Sequence, residues 1–347
     1  MTYTGGMETG KGTGRPARAL VLRGGAIGDF VVTLPVLQWL RLAAPGGVID
    51  LACHGRVAPL AEGLVTQWRD IESAVFLPLY REGPVAEGPV AEEAVAEGPV
   101  AQEAVAHEAV ADFLENYDLV LSFLGSDTPV AGRLKEIAGG RAISIDPVPA
   151  ANDQHVTAGF FGQMRAAGLP APDAEESAYL MPVIEVGAEK RRGGRELLEG
   201  LGVRPGQALI GLHPGSGSSE KNAPAAVLAE VWAWLDEAFE DAAPVLIKGE
   251  ADDEPVAQVV ARLGAAPPVV ETPDLGVLAS VLGECALLVG HDSGVSHIAA
   301  AVGTPTVAIF VSTDPAVWAP RGPRVAVAGP TAGSIKSAVI SLVKGWR

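Results

Sequence analysis

Three glycine-rich turns hold the side chains of this chain that could do chemistry. The first reads Arg23-Gly24-Gly25-Ala26-Ile27-Gly28-Asp29 and sits between an apolar run and a helical pattern. A carboxylate in the first turn of a helix complements the helix dipole, and that alone can account for Asp29. Gly24, Gly25 and Gly28 support a second reading, because residues without a Cβ let another molecule approach the backbone beside Asp29. The turn does not meet the Gly-x-Gly-x-x-Gly spacing of a dinucleotide site, and no acidic residue follows where one would grip a ribose. A nicotinamide enzyme is therefore disfavoured.

The second turn, His213-Pro214-Gly215-Ser216-Gly217-Ser218-Ser219-Glu220-Lys221-Asn222, combines hydroxyls and glycines with one ammonium group. Such a loop can line an oxyanion or phosphate site, although an ordinary flexible loop has the same composition. It lacks the Gly-Lys-Ser/Thr ending of a P-loop. In the third turn, Leu288 to His297, a buried strand ends at Gly290 and Asp292 or Ser293 caps a helix through Ile298–Val302. The first N–H groups of a helix have no internal partners and carry roughly half a positive charge, so a diphosphate would be held there. Gly294 lets a phosphate reach the backbone and His297 lies on the first turn. A capped helix with a buried histidine is the competing account.

Glu250 follows a strand over Pro244–Lys248, a position suited to ribose hydroxyls. Asp252 and Asp253 read as a solvated helix start rather than a metal site.

The elements that must position these turns alternate along the chain. A strand from Ala17, a helix over Phe30–Leu42 and a strand at Val48–Cys53 form a strand–helix–strand unit. Further strands are expected at Val75–Leu79, Asp118–Phe123 and Ala142–Ile145, with a helix over Val130–Ala138. Met181–Gly187 reads as a linker. A second set then opens at Ala208–Leu212 and continues through helices at Ala225–Ala238, Pro255–Leu263, Leu275–Leu282 and Gly294–Val302. Its strands are Pro244–Lys248, Val269–Thr272, Ala286–Val289 and Thr306–Phe310. This order predicts two doubly wound, Rossmann-like α/β domains with ligands at the C-terminal strand ends and the site in the cleft between them.

The expected boundaries are a disordered tail over 1–16, an N-terminal domain over 17–183, a C-terminal domain over 184–332 and a final helix over 333–347. Residues 84–112 repeat a Pro-Val-Ala-Glu-Gly-like pentapeptide, whose prolines and glycines break helices, so a solvated insertion is expected that turns helical from about Ala101.

Composition narrows the partners. A length of 347 residues, 48% of them hydrophobic, suits two cores better than one. A net charge of −17 disfavours nucleic acid, which demands a basic footprint. Cys53 and Cys285 sit in apolar contexts and read as buried thiols in a reducing compartment. The first 17 residues lack an apolar core, so no secretory signal is expected, and no run suits a membrane span. A cytoplasmic protein is expected, with at most peripheral contact at the inner face of the membrane.

Taken together, the three turns resemble glycosyltransferase family 9, the ADP-heptose:lipopolysaccharide heptosyltransferases. The resemblance rests on the Arg23–Phe30 turn with Thr33-Leu34-Pro35 and on His213-Pro214-Gly215-Ser216-Gly217 with Lys221. It also rests on Asp292-Ser293-Gly294-x-x-His297 followed by Gly303-Thr304-Pro305, Phe310 and Thr313-Asp314-Pro315. The departures are Asn222-Ala223-Pro224 where the family often has Trp-Pro, and Phe310-Val311-Ser312-Thr313 where it often has Phe-Gly-x-Thr.

The resemblance implies a GT-B fold and an inverting, metal- and cofactor-independent transfer of heptose from ADP-heptose to a glycan or glycolipid acceptor in lipopolysaccharide biosynthesis. It implies Asp29 as general base, with Gly24, Gly25 and Gly28 on the acceptor side. Lys221 and the helix start at Ser293–Gly294 would hold the diphosphate, Asp292 the donor sugar, Glu250 the ribose and His297 the phosphate region, with Ser216 also on the donor side. Desolvation in a closing cleft would make Asp29 a better base. A sugar-nucleotide epimerase and a non-catalytic nucleotide-sugar binder are the alternatives.

Overall fold

A computed structural model describes residues 16–80, 108–148 and 154–344. The expected tail and most of the pentapeptide stretch lie outside the described residues, and so does the end of the final helix. The first unit runs β1 (Arg18–Arg23), α1 (Ile27–Val31), α2 (Leu34–Ala43), β2 (Val48–Cys53) and β3 (Gln67–Asp70). It continues with α3 (108–115), then β4 (Leu119–Ser122), α4 (Pro129–Ala138), β5 (Ala142–Ser144), α5 (Val156–Ala166) and α6 (Ala174–Tyr179).

The second unit begins with α7 (Ala188–Gly200), β6 (Leu209–His213), α8 (Ala225–Ala238) and β7 (Ala243–Lys248). Next come α9 (Asp253–Val260), β8 (Val269–Glu271), α10 (Leu275–Glu284), β9 (Cys285–His291) and α11 (Gly294–Ala301). It closes with β10 (Thr306–Ile309), α12 (Pro315–Trp318), β11 (Val325–Ala328) and α13 (Ala332–Val343). The final helix packs on α8, β10 and β11, so it completes the second unit rather than standing apart.

Both sheets are parallel, in the orders β3-β2-β1-β4-β5 and β11-β10-β9-β6-β7-β8. Each order reverses beside its first strand, at β1/β4 and at β6/β9, and the crevice at such a switch point is where doubly wound sheets bind ligands. The turns after β1, β6 and β9 are the three singled out in the sequence. Strands buried on both faces explain their unbroken apolar runs. One apolar cluster passes from Phe30, Leu37 and Phe160 of the first unit to Val295, Ile298 and Leu278 of the second, so the two cores join. Cys53 and Cys285 are buried free thiols, as expected.

Three expectations change. The strand expected at Val75–Leu79 is a turn of 3-10 helix over Leu77–Tyr80, and the third strand is Gln67–Asp70, all four of whose residues are exposed. Phe76 and Leu79 are apolar because they plug a cluster under the sheet, whereas an edge strand needs little apolar character. The first helix is broken at Val32–Thr33 because Pro35 lacks the N–H that a continuous helix would use. Sequence reading also missed α5, whose Thr157 hydroxyl donates to the Val32 carbonyl at 2.9 Å and buttresses that break.

Candidate functional site

β1 ends on Arg23, and the chain turns through Gly25 at φ +95°, a conformation that L side chains rarely adopt. The turn aims the first residues of α1 back over the sheet end. Asp29 Oδ2 accepts the Ala26 N–H at 3.2 Å, so the helix-start role foreseen for this carboxylate is real. Its side chain is nevertheless 36% exposed, open to the cleft. Arg23 clamps the turn from below: its Nη2 and Nε donate to the Asp29 carbonyl at 2.8 and 3.1 Å, and its Nη2 lies 3.8 Å from Oδ1. The guanidinium stacks between Phe123 and Phe160, and burial lowers its pKa to about 10 against the opposing pull of Asp29. The Thr33 hydroxyl adds a 2.9 Å bond to the same carbonyl. Arg23 and Thr33 therefore fix where Asp29 points. Both stood inside the signature, but nothing in their types announced this role.

The opposite wall belongs to the second unit. Asp292, after β9, accepts from Lys221 Nζ at 2.9 Å and from the Thr313 hydroxyl at 2.7 Å, while its Oδ1 lies 3.9 Å from His297 Nε2. Lys221 sits in the 3-10 turn Ser219–Lys221, part exposed, with its ammonium on Asp292. Ser293 occupies the N-cap position of α11, but its hydroxyl makes no cap bond, contrary to the capping role expected of it. It turns to His213 Nδ1 at 3.2 Å instead. The helix thus presents bare backbone N–H groups, the arrangement a diphosphate requires. Ser216 is tied inside its own loop, to the Ser218 carbonyl and the Asn222 side chain, so its hydroxyl serves the loop's shape.

The two walls meet at two glycines. A Cβ on Gly28 would touch His297 Cδ2 at 3.3 Å, and one on Gly294 would meet Ile27 Cβ at 2.6 Å. The starts of α1 and α11 therefore abut, with Asp29 on one and the uncapped helix start on the other. At the rim, Arg56 Nη1 of the first unit pairs with Glu250 at 3.1 Å, so Glu250 bridges the cleft from the position expected for ribose contact. Gly24 lies at the base of the same turn, against Leu124 and Ile71.

Asp252 is the clearest correction. It is buried rather than solvated and accepts from His213 Nε2 at 2.8 Å and from the Gly249 N–H at 2.7 Å. Burial alone would raise its pKa, but the hydrogen bonds from His213 and the Gly249 N–H outweigh it, and the carboxyl sits below the usual range. Asp253, next to it, is exposed and pairs with Lys248. Among the described residues, His54, Asp70 and Glu72 at the ends of β2 and β3 bring ligand atoms within 4.8 Å of one another.

Buried histidines give the fold a pH dependence. Burial lowers His291 and His297 to about 4 and His155 to about 3; around His297 the charges of Asp292 and Asp29 oppose that shift and Lys221 adds to it. Unfolded, these rings take up protons as pH falls through about 6.5, while the folded rings stay neutral until about 4. Between those limits the unfolded state binds more protons, so stability falls with pH; above 6.5 neither state is charged and the effect vanishes. Calorimetry should show Tm level from pH 8 to 7 and falling steadily from pH 6 to 4. A Tm constant down to pH 4 would count against this reading.

The model for glycosyltransferase family 9 (heptosyltransferase) matches residues 167–342. Over 94% of this chain and 96% of the other, the fold matches a family 9 glycosyl transferase from Veillonella parvula at 20% identity and a TM-score of 0.69. It matches E. coli ADP-heptose LPS heptosyltransferase II at 18% identity and 0.69, over 94% and 98%. E. coli heptosyltransferase WaaC, solved with ADP, matches at 19% identity and 0.61, over 93% and 99%. No curated protein matches the sequence. These folds are GT-B, and no helix among the described residues is long and apolar enough to cross a membrane. The switch-point turns, the abutting helix starts and the family match lead to one conclusion: the chain belongs to glycosyltransferase family 9 and is a sugar-nucleotide glycosyltransferase with the GT-B fold.

Proposed function

We propose that the protein moves a heptose or closely related sugar from ADP-heptose to a surface glycan or lipopolysaccharide-core acceptor at the inner face of the membrane. The transfer inverts the anomeric centre and needs no metal or cofactor. The observation that carries this reading is the apposition of Asp29 to the uncapped start of α11, with Lys221 alongside.

The chemistry follows from the groups present. Glycosyl transfer passes through an oxocarbenium-like state, so the departing diphosphate must be stabilised and the acceptor hydroxyl must lose its proton. The backbone N–H groups of α11 and the Lys221 ammonium take up the charge developing on the diphosphate. Asp292, held by Thr313, keeps a carboxylate oxygen for the donor sugar as Lys221 swings to phosphate. Glu250 exchanges Arg56 for the ribose hydroxyls. Asp29, across the cleft, takes the acceptor proton late, once C–O bond formation has acidified the hydroxyl.

A thermal-shift screen over nucleoside diphosphates tests the donor class: ADP should stabilise the protein, and UDP and GDP should not. Transfer assays in excess chelator test the metal-free mechanism, and activity should persist. Stabilisation by UDP alone would overturn the donor assignment, and a strict divalent-ion requirement would overturn the mechanism.

A further inference from the structure

Three strand ends that lie side by side in the second sheet are tied by one buried chain of hydrogen bonds. The strands are β7, β6 and β9. Asp252, beyond β7, accepts from His213 Nε2 at the end of β6, and His213 Nδ1 meets the Ser293 hydroxyl beyond β9. All three residues are at least nine-tenths buried. Glycines make the space: a Cβ on Gly215 would run into the Asp252 carboxylate, and one on Gly290 would press His213 Cβ at 3.2 Å.

We propose that His213 and Asp252 are positioning residues that keep the Ser293 hydroxyl off its own helix, leaving the start of α11 open to the donor diphosphate. This role rests on the donor reading above.

A serine in extended backbone at an N-cap ordinarily accepts from the N–H two or three residues on. Ser293 has that backbone, with φ −153° and ψ 162°, and makes no such bond. Among the described α-helices headed by a Ser, Thr or Asp in extended backbone, Thr128, Asp173, Asp274, Asp314 and Thr331 all cap through the side chain and Ser293 does not; Thr33 and Asp252, which also make no cap bond, do not have that backbone, and Ser218 heads only a 3-10 turn. The difference is His213. Asp252 can only accept, so Nε2 carries a proton toward it; in the tautomer with that proton alone, Nδ1 accepts the Ser293 hydroxyl. The hydroxyl is thereby committed sideways, and the helix N–H groups stay unclaimed. In the same first turn, His297 Nδ1 is also buried without a partner.

His213→Gln separates the two bonds, because its amide reaches the Nε2 position beside Asp252 but not the Nδ1 position beside Ser293. Ser293 is then free to cap α11 and compete with the diphosphate. ADP affinity, measured by titration calorimetry on the full chain, should weaken about fivefold. Adding Ser293→Ala to that variant removes the competing hydroxyl and should return the affinity to within about twofold of the parent. A residue that merely supports the fold would show no such rescue. ADP binding by His213→Gln equal to the parent, or no recovery in the double variant, would overturn the proposal. Nitrogen-15 correlation spectra of the histidine rings test it in the parent chain itself: His213 should carry its proton on Nε2, and a ring protonated on Nδ1 alone refutes it. A parent that binds none of ADP, UDP and GDP would remove the donor reading, and this role with it.

Discussion

Asp29→Asn is expected to lower sugar transfer by about a hundredfold or more while ADP affinity stays within about twofold of the parent. The geometry makes this a clean substitution. The carboxylate has three duties, accepting the Ala26 N–H, lying 3.8 Å from the buried Arg23 guanidinium and facing the cleft, and the carboxamide oxygen of Asn can continue the first. Arg23 and Thr33 hold residue 29 through its backbone carbonyl, which the substitution does not touch. What disappears is the capacity to take a proton, together with the charge facing Arg23, which costs stability rather than ADP binding. ADP would be gripped from the other unit by α11 and Lys221, so its binding should survive. Steady-state transfer assays and ADP titration decide the matter together. Parent-like turnover would remove Asp29 as base, and a parallel loss of ADP binding would make it a structural cap.

Gly294→Ala should have a comparable effect by a different route. Its Cβ would stand 2.6 and 2.7 Å from Ile27 Cβ and Cγ2, and 3.2 Å from the Gly28 nitrogen. Two of those atoms belong to a β-branched side chain packed against the core, and the third is backbone, so the helix starts must part. A displacement of about 1 Å between reacting groups can cost about a hundredfold in rate, and kcat/KM should fall by that order. Alanine favours a helix over glycine by about 1 kcal/mol, so damage to α11 itself is not the cause. Gly333→Ala, in the first turn of α13 with open space around it, is the matched control and should keep parent activity. Equal activity in both variants would mean that close contact of α1 and α11 is not required for turnover.

Much of the fold was legible because parallel strands are buried on both faces and so appear as unbroken apolar runs, as in Leu209–His213 and Cys285–His291. The helix over Ala225–Ala238 was read to the residue. The same rule misled at Val75–Leu79, where apolar residues plug a core without entering a sheet, and it passed over the exposed edge strand Gln67–Asp70. The α5 helix was missed as well, although its partners are in distant parts of the first and second units, Val32 and Ala319. Of the candidate residues, Asp29, Lys221, Asp292, Ser293, Gly294 and His297 converge on one cleft. Ser216 and the Ser293 hydroxyl face inward, to bonding partners that no local spacing reveals.

The sequence by itself determined the alternation of strands and helices, the three turns after β1, β6 and β9, and, through their order, the family. These are local properties: turn chemistry, hydrophobic period and glycine placement are written in neighbouring residues. Tertiary structure alone decided how the turns act. It made Asp29 both cap and cleft carboxylate and set Gly28 and Gly294 against each other across two units. It buried Asp252 under His213, where reading along the chain had left it in solvent. The physical reason is distance along the chain. Asp29 and Gly294, or Asp252, His213 and Ser293, become neighbours only when strand order in the two sheets is set, and that order depends on packing that no single segment encodes.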